Sequence, residues 1–300
     1  MLDNMIQISV LMPVFKPNTN WLTTTIESLN QQTFKSWQLI MALDGDDKET
    51  IAAIAIAEYK LNHSQRLVVV QGERGGISDA LNRGLTACNT PYTARLDADD
   101  ICQPERLELQ WLQLEKEQDL VACGMQIQAI DTKGNRLRKR FHTYPTSRIA
   151  TLAVGALFNT PIAHPVLMFR TSIAVRIGGY NKKRCMEDYD IMARLSEHGS
   201  LINLRSTGLY YRVHGNQHSL EARPKRNQLL EIRWKFMKVW AKEQPIAAPL
   251  IVIPLAFYLL GPKAEYRLRR LASRIGSAFI SMRCGETIAN NPDDANKEGL

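Results

Sequence analysis

The chain has 300 residues, 45% hydrophobic and 23% charged, the balance of an ordinary globular protein with room for one large domain or a domain plus an appendage. Its five cysteines (Cys88, Cys102, Cys123, Cys185, Cys284) are odd in number and scattered, which argues against a disulfide framework or a cysteine zinc site and for a reducing compartment. The formal net charge of +8 is concentrated: residues 221–275 hold twelve Lys or Arg against four acids, so the basic character marks a surface for something anionic.

Met1-Leu2-Asp3-Asn4-Met5 carries an acid and no base, and no secretion signal is expected from it. Residues 6–15 are a dense apolar run that reads as a buried strand, interrupted by Pro13 and ended by Lys16-Pro17. Asn20 is placed to cap a helix over 21–32, with Leu22, Ile26 and Leu29 on one face. A second strand over 37–43 ends in Asp44-Gly45-Asp46-Asp47, and residues 51–59 read as a helix. A third strand, 67–71, runs into Gly72-Glu73-Arg74-Gly75-Gly76. A helix over 77–87 and a strand over 92–96 follow. Three successive strand–helix units predict an α/β fold with a doubly wound parallel sheet.

Asp97-Ala98-Asp99-Asp100 comes next. Strand alternation puts residues i and i+2 on one face, so Asp97 and Asp99 are expected side by side. Two hard oxygen ligands held this way suit Mg2+ or Mn2+, with coordination positions left for a diphosphate. The competing reading is structural: acids after a strand cap helices or close turns, and Pro104-Glu105-Arg106 has the form of a helix start, which leaves Asp100 a turn role. Location favours the ligand reading. In doubly wound sheets ligands collect at the carboxyl ends of strands, and residues 13–16, 44–47, 73–76 and 97–100 all fall on that edge. No G-x-G-x-x-G follows the first strand and no G-x-x-x-x-G-K-[ST] is present, so neither a Rossmann dinucleotide site nor a phosphate loop is expected.

Beyond the acids the pattern gives an amphipathic helix over 105–117, a strand over 120–130, a turn at 131–135, a basic arm at 136–140 and a strand over 163–170. Glu187-Asp188-Tyr189-Asp190 opens a helix ending near His198-Gly199, and two short closing strands are expected at 201–204 and 209–214. From Arg223 the composition changes. Residues 229–240 are helical, basic and aromatic; 246–261 are apolar but hold Pro249 and Pro254 and fall short of the roughly twenty residues that span a bilayer. Lys263, Arg267, Arg269, Arg270 and Arg274 follow. This fits peripheral attachment of residues 223–275 to an anionic membrane face, the plainer alternative being a helical cap on the preceding domain. The apolar centre of this basic region makes a membrane a better partner than nucleic acid. The polar end, 290–300, is expected to be disordered.

Four segments, in order, resemble the inverting family 2 glycosyltransferases of the bacterial surface-polysaccharide type. Val10-Leu11-Met12-Pro13-Val14-Phe15 resembles the family's opening strand, Leu43-Asp44-Gly45-Asp46-Asp47 its D-D-G-S element, Leu96-Asp97-Ala98-Asp99-Asp100 its D-x-D, and Glu187-Asp188-Tyr189-Asp190 its E-D segment. Ser78-Asp79-Ala80-Leu81-Asn82-Arg83-Gly84 and Tyr211-Arg212-Val213-His214 are also similar to family elements. The resemblance implies a GT-A fold, a doubly wound mixed sheet that is mostly parallel, over residues 1–222. Residues 1–100 would be the nucleotide-binding half, 101–222 the acceptor half, and 223–300 a C-terminal helical extension. It implies transfer of one sugar from a nucleotide-sugar donor, a UDP-sugar foremost, to a hydroxyl of a growing cell-surface glycan on a lipid carrier or core. The place implied is the cytoplasm, at the inner face of the plasma membrane.

In that scheme Pro13, Phe15, Asp44, Arg74, Asp97 and Asp99 bind the nucleotide-sugar. Asp99, Asp97 and His214 hold Mn2+ or Mg2+, Asp188 is the base, and Glu187 and His164 stand on the acceptor side. Two departures touch nucleotide or sugar contacts: in the D-D-G-S element Leu43 stands where the family commonly has the first acid and Asp46 replaces the usual Ser, and Ala80-Leu81-Asn82 stands where an Ala-Arg-Asn element is frequent. A sugar nucleotidyltransferase is the rival enzyme class, but residues 12–17 lack the Gly/Arg/Lys-rich loop such enzymes place after the first strand. A non-catalytic nucleotide-sugar-binding protein would not need to keep Asp97, Asp99 and Asp188 together.

Overall fold

The computed structural model describes residues 5–62, 66–137, 143–182, 186–215 and 226–246. Strand and helix alternate through the first part: β1 (Ile8–Val14), α1 (Thr19–Asn30), β2 (Trp37–Leu43), α2 (Lys48–Lys60), β3 (Leu67–Val70), α3 (Ile77–Ala87) and β4 (Tyr92–Arg95). Then come β5 (Ile101–Cys102), α4 (Arg106–Lys116), β6 (Leu120–Ile130), α5 (Arg148–Leu157), β7 (Met168–Arg170), α6 (Thr171–Arg176), α7 (Glu187–Ser196), β8 (Ser200–Arg212) and α8 (Arg226–Glu243). All eight strands lie in one sheet, in the order β3-β2-β1-β4-β7-β6-β8-β5. The first four are parallel, β7 is antiparallel to both neighbours, β6 and β8 are parallel, and β5 closes the edge antiparallel to β8. The expected mixed, mostly parallel sheet is therefore what forms.

Alternation sorts the side chains into two cores. Ile8, Val10, Met12 and Val14 of β1 and Trp37, Leu39, Met41 and Leu43 of β2 pack with Leu22, Ile26 and Leu29 of α1. Leu11, Ile40 and Ala42 face the other way, against Leu81 and Leu85 of α3. α3 comes so close that a Cβ on Gly84 would stand 2.3 Å from Leu11 Cδ1 and 2.9 Å from Ala42 Cβ. Pro13 is tolerated in a central strand because the β4 pairing of β1 stops at Leu11↔Arg95, so no ladder bond is lost on that side. Such strand ends leave their backbone groups to the site.

Four expectations need correction. The cap of α1 is Asn18, whose side chain accepts from the amides of Asn20 and Trp21, two residues before the expected cap. β4 ends at Arg95, so Asp97 and Asp99 stand in a turn and not on a strand. Residues 163–170 are not one strand. Pro165, lacking an N–H, sits in a 3-10 turn over His164–Val166, and only Met168–Arg170 pairs. The two short closing strands are one strand, β8, with irregular register where Leu204 faces Met125 and Thr207 faces Gln126. The exposed polar residues Arg205 to Thr207, which lie between the two expected strands, are the irregularity itself.

α8 packs into the domain. Ile232, Phe236, Met237 and Trp240 belong to the same core as Leu81, Tyr189 and Leu195. Among the described residues no helix is long and apolar enough to cross a membrane. The apolar run beyond Ile246, the five bases after it, the polar end, Arg138 to Arg140, Cys185 and Cys284 lie outside the described residues.

Candidate active site

The carboxyl ends of β1, β2 and β3 form one side of the site. The Asp44 amide donates to the Val14 carbonyl at 2.9 Å and the Gly45 amide to the Gly72 carbonyl at 3.1 Å, tying the three strand ends together. Asp44 is buried, and its Oδ1 accepts from the amides of Gly75 and Gly76 at 2.8 and 3.0 Å, just ahead of α3. Gly76 has φ +86, a left-handed conformation that favours glycine. Arg83 adds a charge at 3.7 Å from Asp44 and donates to the Leu43 carbonyl. Arg74 lays its guanidinium over the ring of Phe15, 4.5 Å from the centroid. Pro13 and Phe15 are partly exposed beside it, so a flat apolar and cationic platform fills the strand edge.

The acid turn follows β4. One carboxylate oxygen from each of Asp97, Asp99 and Asp100 can be chosen so that all lie within 4.8 Å of one another. The turn, not strand alternation, gathers them, and it brings in Asp100. Arg95 Nη2 donates to Asp97 Oδ1 at 2.6 Å. His214 Nε2 lies 2.7 Å from Asp99 Oδ2, and the Arg212 amide donates to Asp100 Oδ1 at 2.8 Å. Burial, then the charge of Asp97, raises the Asp99 pKa; burial, then Asp99 and Asp97, raises that of Asp100 well above the carboxylate range. Asp100 Oδ2 is buried with no hydrogen-bond partner among the described residues. Three crowded acids, one with an orphaned oxygen, could hold a hard divalent cation, and their oxygen ligands fit such an ion.

His214 is itself held in place. The Trp21 ring packs 4.9 Å from it, the Trp21 indole N–H donates to the Thr132 carbonyl, and Arg212 lies over the Trp21 ring at 5.3 Å.

The second carboxylate group stands at the start of α7. Met186 precedes it in a left-handed conformation, φ 72, and gives no side-chain cap. Glu187 and Asp188 thus fall in the first turn, where the helix dipole favours negative charge. Asp188 Oδ1 accepts from the Tyr189 amide at 2.7 Å. Part of the residue stays open to solvent, yet burial, then the charge of Glu187, pushes its pKa up to about 7. A carboxylate in that range can exchange a proton with a hydroxyl at neutral pH. His164 is 9% exposed and its Nε2 lies 3.1 Å from the Tyr180 hydroxyl. Burial, then the charge of Arg95, keeps its pKa well below the usual range, so the ring is neutral.

The predicted residues fall into three groups: Pro13, Phe15, Asp44 and Arg74 at the ends of β1, β2 and β3; Asp97, Asp99 and His214 at the turn after β4; and Glu187 and Asp188 at the start of α7, with His164 against Tyr180. Sequence reasoning missed Arg95, Trp21 and Tyr180. For Arg95 a signal existed, a lone charge in an otherwise uncharged strand two residues before Asp97. Trp21, in the first turn of α1, and Tyr180, in the loop after α6, reach the site only through contacts distant in sequence, which no local pattern reports.

Residues 9–176 match the family described as Glycosyl transferase family 2. The amylovoran biosynthesis glycosyltransferase AmsE of Erwinia amylovora is 32% identical over 193 residues, covering 64% of this chain and 70% of that protein. The O-antigen biosynthesis glycosyltransferase WbnJ of Escherichia coli is 30% identical over 210 residues, covering 69% of this chain and 80% of that protein. Among solved structures, S. aureus TarS 1-349 in complex with UDP-GlcNAc superposes with a TM-score of 0.58 at 16% identity, over 78% of this chain and 66% of that one. That likeness is one of fold, the GT-A type.

Proposed function

The chain belongs to glycosyltransferase family 2, and from that premise we propose that it moves one sugar from a nucleotide-sugar to a hydroxyl of a growing cell-surface glycan, inverting the anomeric carbon. One observation supports the reading: Arg95 pairs with Asp97 of the acid turn, and its charge also acts on the raised-pKa Asp188 at the start of α7, so a group for the leaving diphosphate and a group for the attacking hydroxyl share one neighbourhood. The printed names of AmsE and WbnJ support polysaccharide biosynthesis as the setting, and the UDP-GlcNAc complex of TarS supports a UDP-sugar as donor.

The nucleotide lies on the platform of Pro13, Phe15 and Arg74, with Asp44 turned to the base. The diphosphate meets the acid turn, where Asp99 and Asp97, with His214 beside them, would hold Mn2+ or Mg2+. Such an ion, when bound, offsets the charge that grows on the leaving diphosphate. Asp188 accepts the proton of the acceptor hydroxyl as it attacks the anomeric carbon. Glu187 sits beside it on the acceptor side, and His164, buried against Tyr180, supports that side from within. Residues 1–100 form the donor half and 101–222 the acceptor half. Within residues 223–275, α8 packs on the domain, and the basic stretch after it attaches the enzyme to the inner, anionic face of the plasma membrane. The buried free thiols Cys88, Cys102 and Cys123 suit the reducing cytoplasm.

The test is binding and turnover with a panel of UDP-, GDP- and dTDP-sugars, with and without Mn2+, on wild-type protein and Asp188→Asn. One donor class is expected to bind, more tightly with Mn2+. Asp188→Asn should lose transfer by roughly 10³-fold and keep donor affinity within a few-fold. Near-wild-type turnover by that variant would remove Asp188 as the base.

A further inference from the structure

Arg95 is 1% exposed, at the end of β4. Alternation along β4 sends Tyr92 and Ala94 into the core beneath α1. Thr93 and Arg95 face the other way, toward α6 and α7, and the Thr93 hydroxyl meets that of Thr171 at 2.8 Å. The backbone of Arg95 is pinned twice: its amide donates to the Leu167 carbonyl at 2.8 Å, and its carbonyl accepts from the buried guanidinium of Arg106 at 2.5 Å. The head group is thereby delivered beneath the cleft, with little freedom to leave.

A guanidinium stays charged wherever it is placed, and burying it is costly unless carboxylates face it. Nη2 donates to Asp97 Oδ1 at 2.6 Å, while Nε and Nη1 have no hydrogen-bond partner among the described residues. One ion pair leaves much of that cost standing. The charge of Arg95 also acts at longer range, as a minor influence, on Asp100 and Asp188. It also acts on His164, which burial keeps neutral.

We propose that Arg95 is a positioning residue for the acid turn: its buried ion pair fixes the orientation of Asp97, and through that turn it orders the end of the site that would hold the metal and the diphosphate. The proposal rests on the glycosyltransferase reading for its consequence in turnover, but its link to Asp97 can be read without any donor. A change at Arg95 then disturbs metal affinity and, through the hold on the leaving diphosphate, the chemical step.

The experiment compares wild-type protein, Arg95→Met, Arg95→Lys, Asp97→Asn and the Arg95→Met/Asp97→Asn pair. The readouts are Mn2+ titration, donor KM and kcat. Arg95→Met is expected to weaken Mn2+ about tenfold and to lower kcat roughly 100-fold, with Arg95→Lys recovering about tenfold of the kcat. On the Asp97→Asn background, Arg95→Met should weaken Mn2+ by less than about twofold, since the link through Asp97 is already cut. Additive Mn2+ losses, unchanged kcat in folded Arg95→Met, or no recovery by lysine would each overturn the proposal.

If Arg95→Met does not fold, a crystal structure of the wild-type protein with Mn2+ and UDP decides. Arg95 kept on Asp97 supports the proposal, and Arg95 turned away from it overturns it. A wild-type protein that binds no nucleotide-sugar would count against the glycosyltransferase reading instead, and the donor-free Mn2+ coupling would still be measured.

Discussion

Asp188 ties the site to pH, and the sign is fixed by its raised pKa. Only the carboxylate can take a proton, so kcat/KM should rise with pH through about 7 and level off above it. Glu187 is the second cause of the shift after burial, so Glu187→Gln should move the midpoint to lower pH. A flat profile from pH 5.5 to 8.5 would exclude Asp188 as the base. Stability runs the opposite way. Folded Asp188 holds its proton up to about 7, whereas an unfolded Asp releases it near 3.8, so the protein should lose stability as pH rises across that window. Thermal unfolding of wild type and Asp188→Asn at pH 5 and 8 checks this, the variant showing the smaller pH effect. Asp97, Asp99 and Asp188 were legible in sequence because each sits at the end or start of an element whose period is plain. The reason first given for the Asp97–Asp99 pair was wrong, since a turn gathers them. Asp100 shows what was lost: its burial against the Arg212 amide depends on a partner 112 residues away.

α7 and α8 show the same limit at the level of elements. The helix carrying Asp188 was readable from its acidic start, but what holds it still was not. Tyr189, the next residue, stacks on Phe236 of α8 at 5.6 Å and donates its hydroxyl to the Gly155 carbonyl of α5. Asp190, fully buried, pairs with Arg194 at 2.7 Å and faces Lys235 of α8 at 3.7 Å. The basic, aromatic composition of α8 read as a surface segment, while its fold turns Ile232, Phe236, Met237 and Trp240 inward and leaves Trp234, Lys238 and Lys242 outside. Phe236→Ala should therefore cost about 3–5 kcal/mol, the range for removing a buried aromatic ring. It should also lower kcat more than donor affinity, because the lost ring underlies α7 and not the nucleotide platform. Unfolding and steady-state kinetics on one preparation test both parts. Equal loss of donor affinity and kcat would place α8's influence elsewhere. The strands were read well where both faces are buried, as in β2, and poorly where exposed polar residues interrupt one, as in β8.

For the whole molecule, charge is the property that divides the chain: +8 falls on residues 221–275 and little elsewhere. α8 takes up only part of that region, and two of its lysines spend their charge within the domain, Lys235 near Asp190 and Lys238 near Glu197. A cut at residue 222 would remove Phe236 and Trp240 from the core, so it would confuse unfolding with loss of attachment. The bases to test against a membrane are then those that follow the apolar run in the sequence, Lys263, Arg267, Arg269, Arg270 and Arg274. Each base near an anionic surface contributes about 1 kcal/mol, an attraction that falls off within a Debye length. Reversing three of them (Arg267→Glu, Arg269→Glu, Arg270→Glu) in the full chain should leave folding and donor binding unchanged. Binding to vesicles rich in phosphatidylglycerol should fall by 100-fold or more, about 3 kcal/mol, while the weak binding to neutral phosphatidylcholine stays the same. Raising salt from 0.1 to 1 M should weaken the wild type toward the variant, since screening shortens from about 10 Å to 3 Å. Co-sedimentation reads all three. Equal retention of both proteins on anionic vesicles would assign attachment to the apolar run alone, and no retention of either would end the case for a membrane.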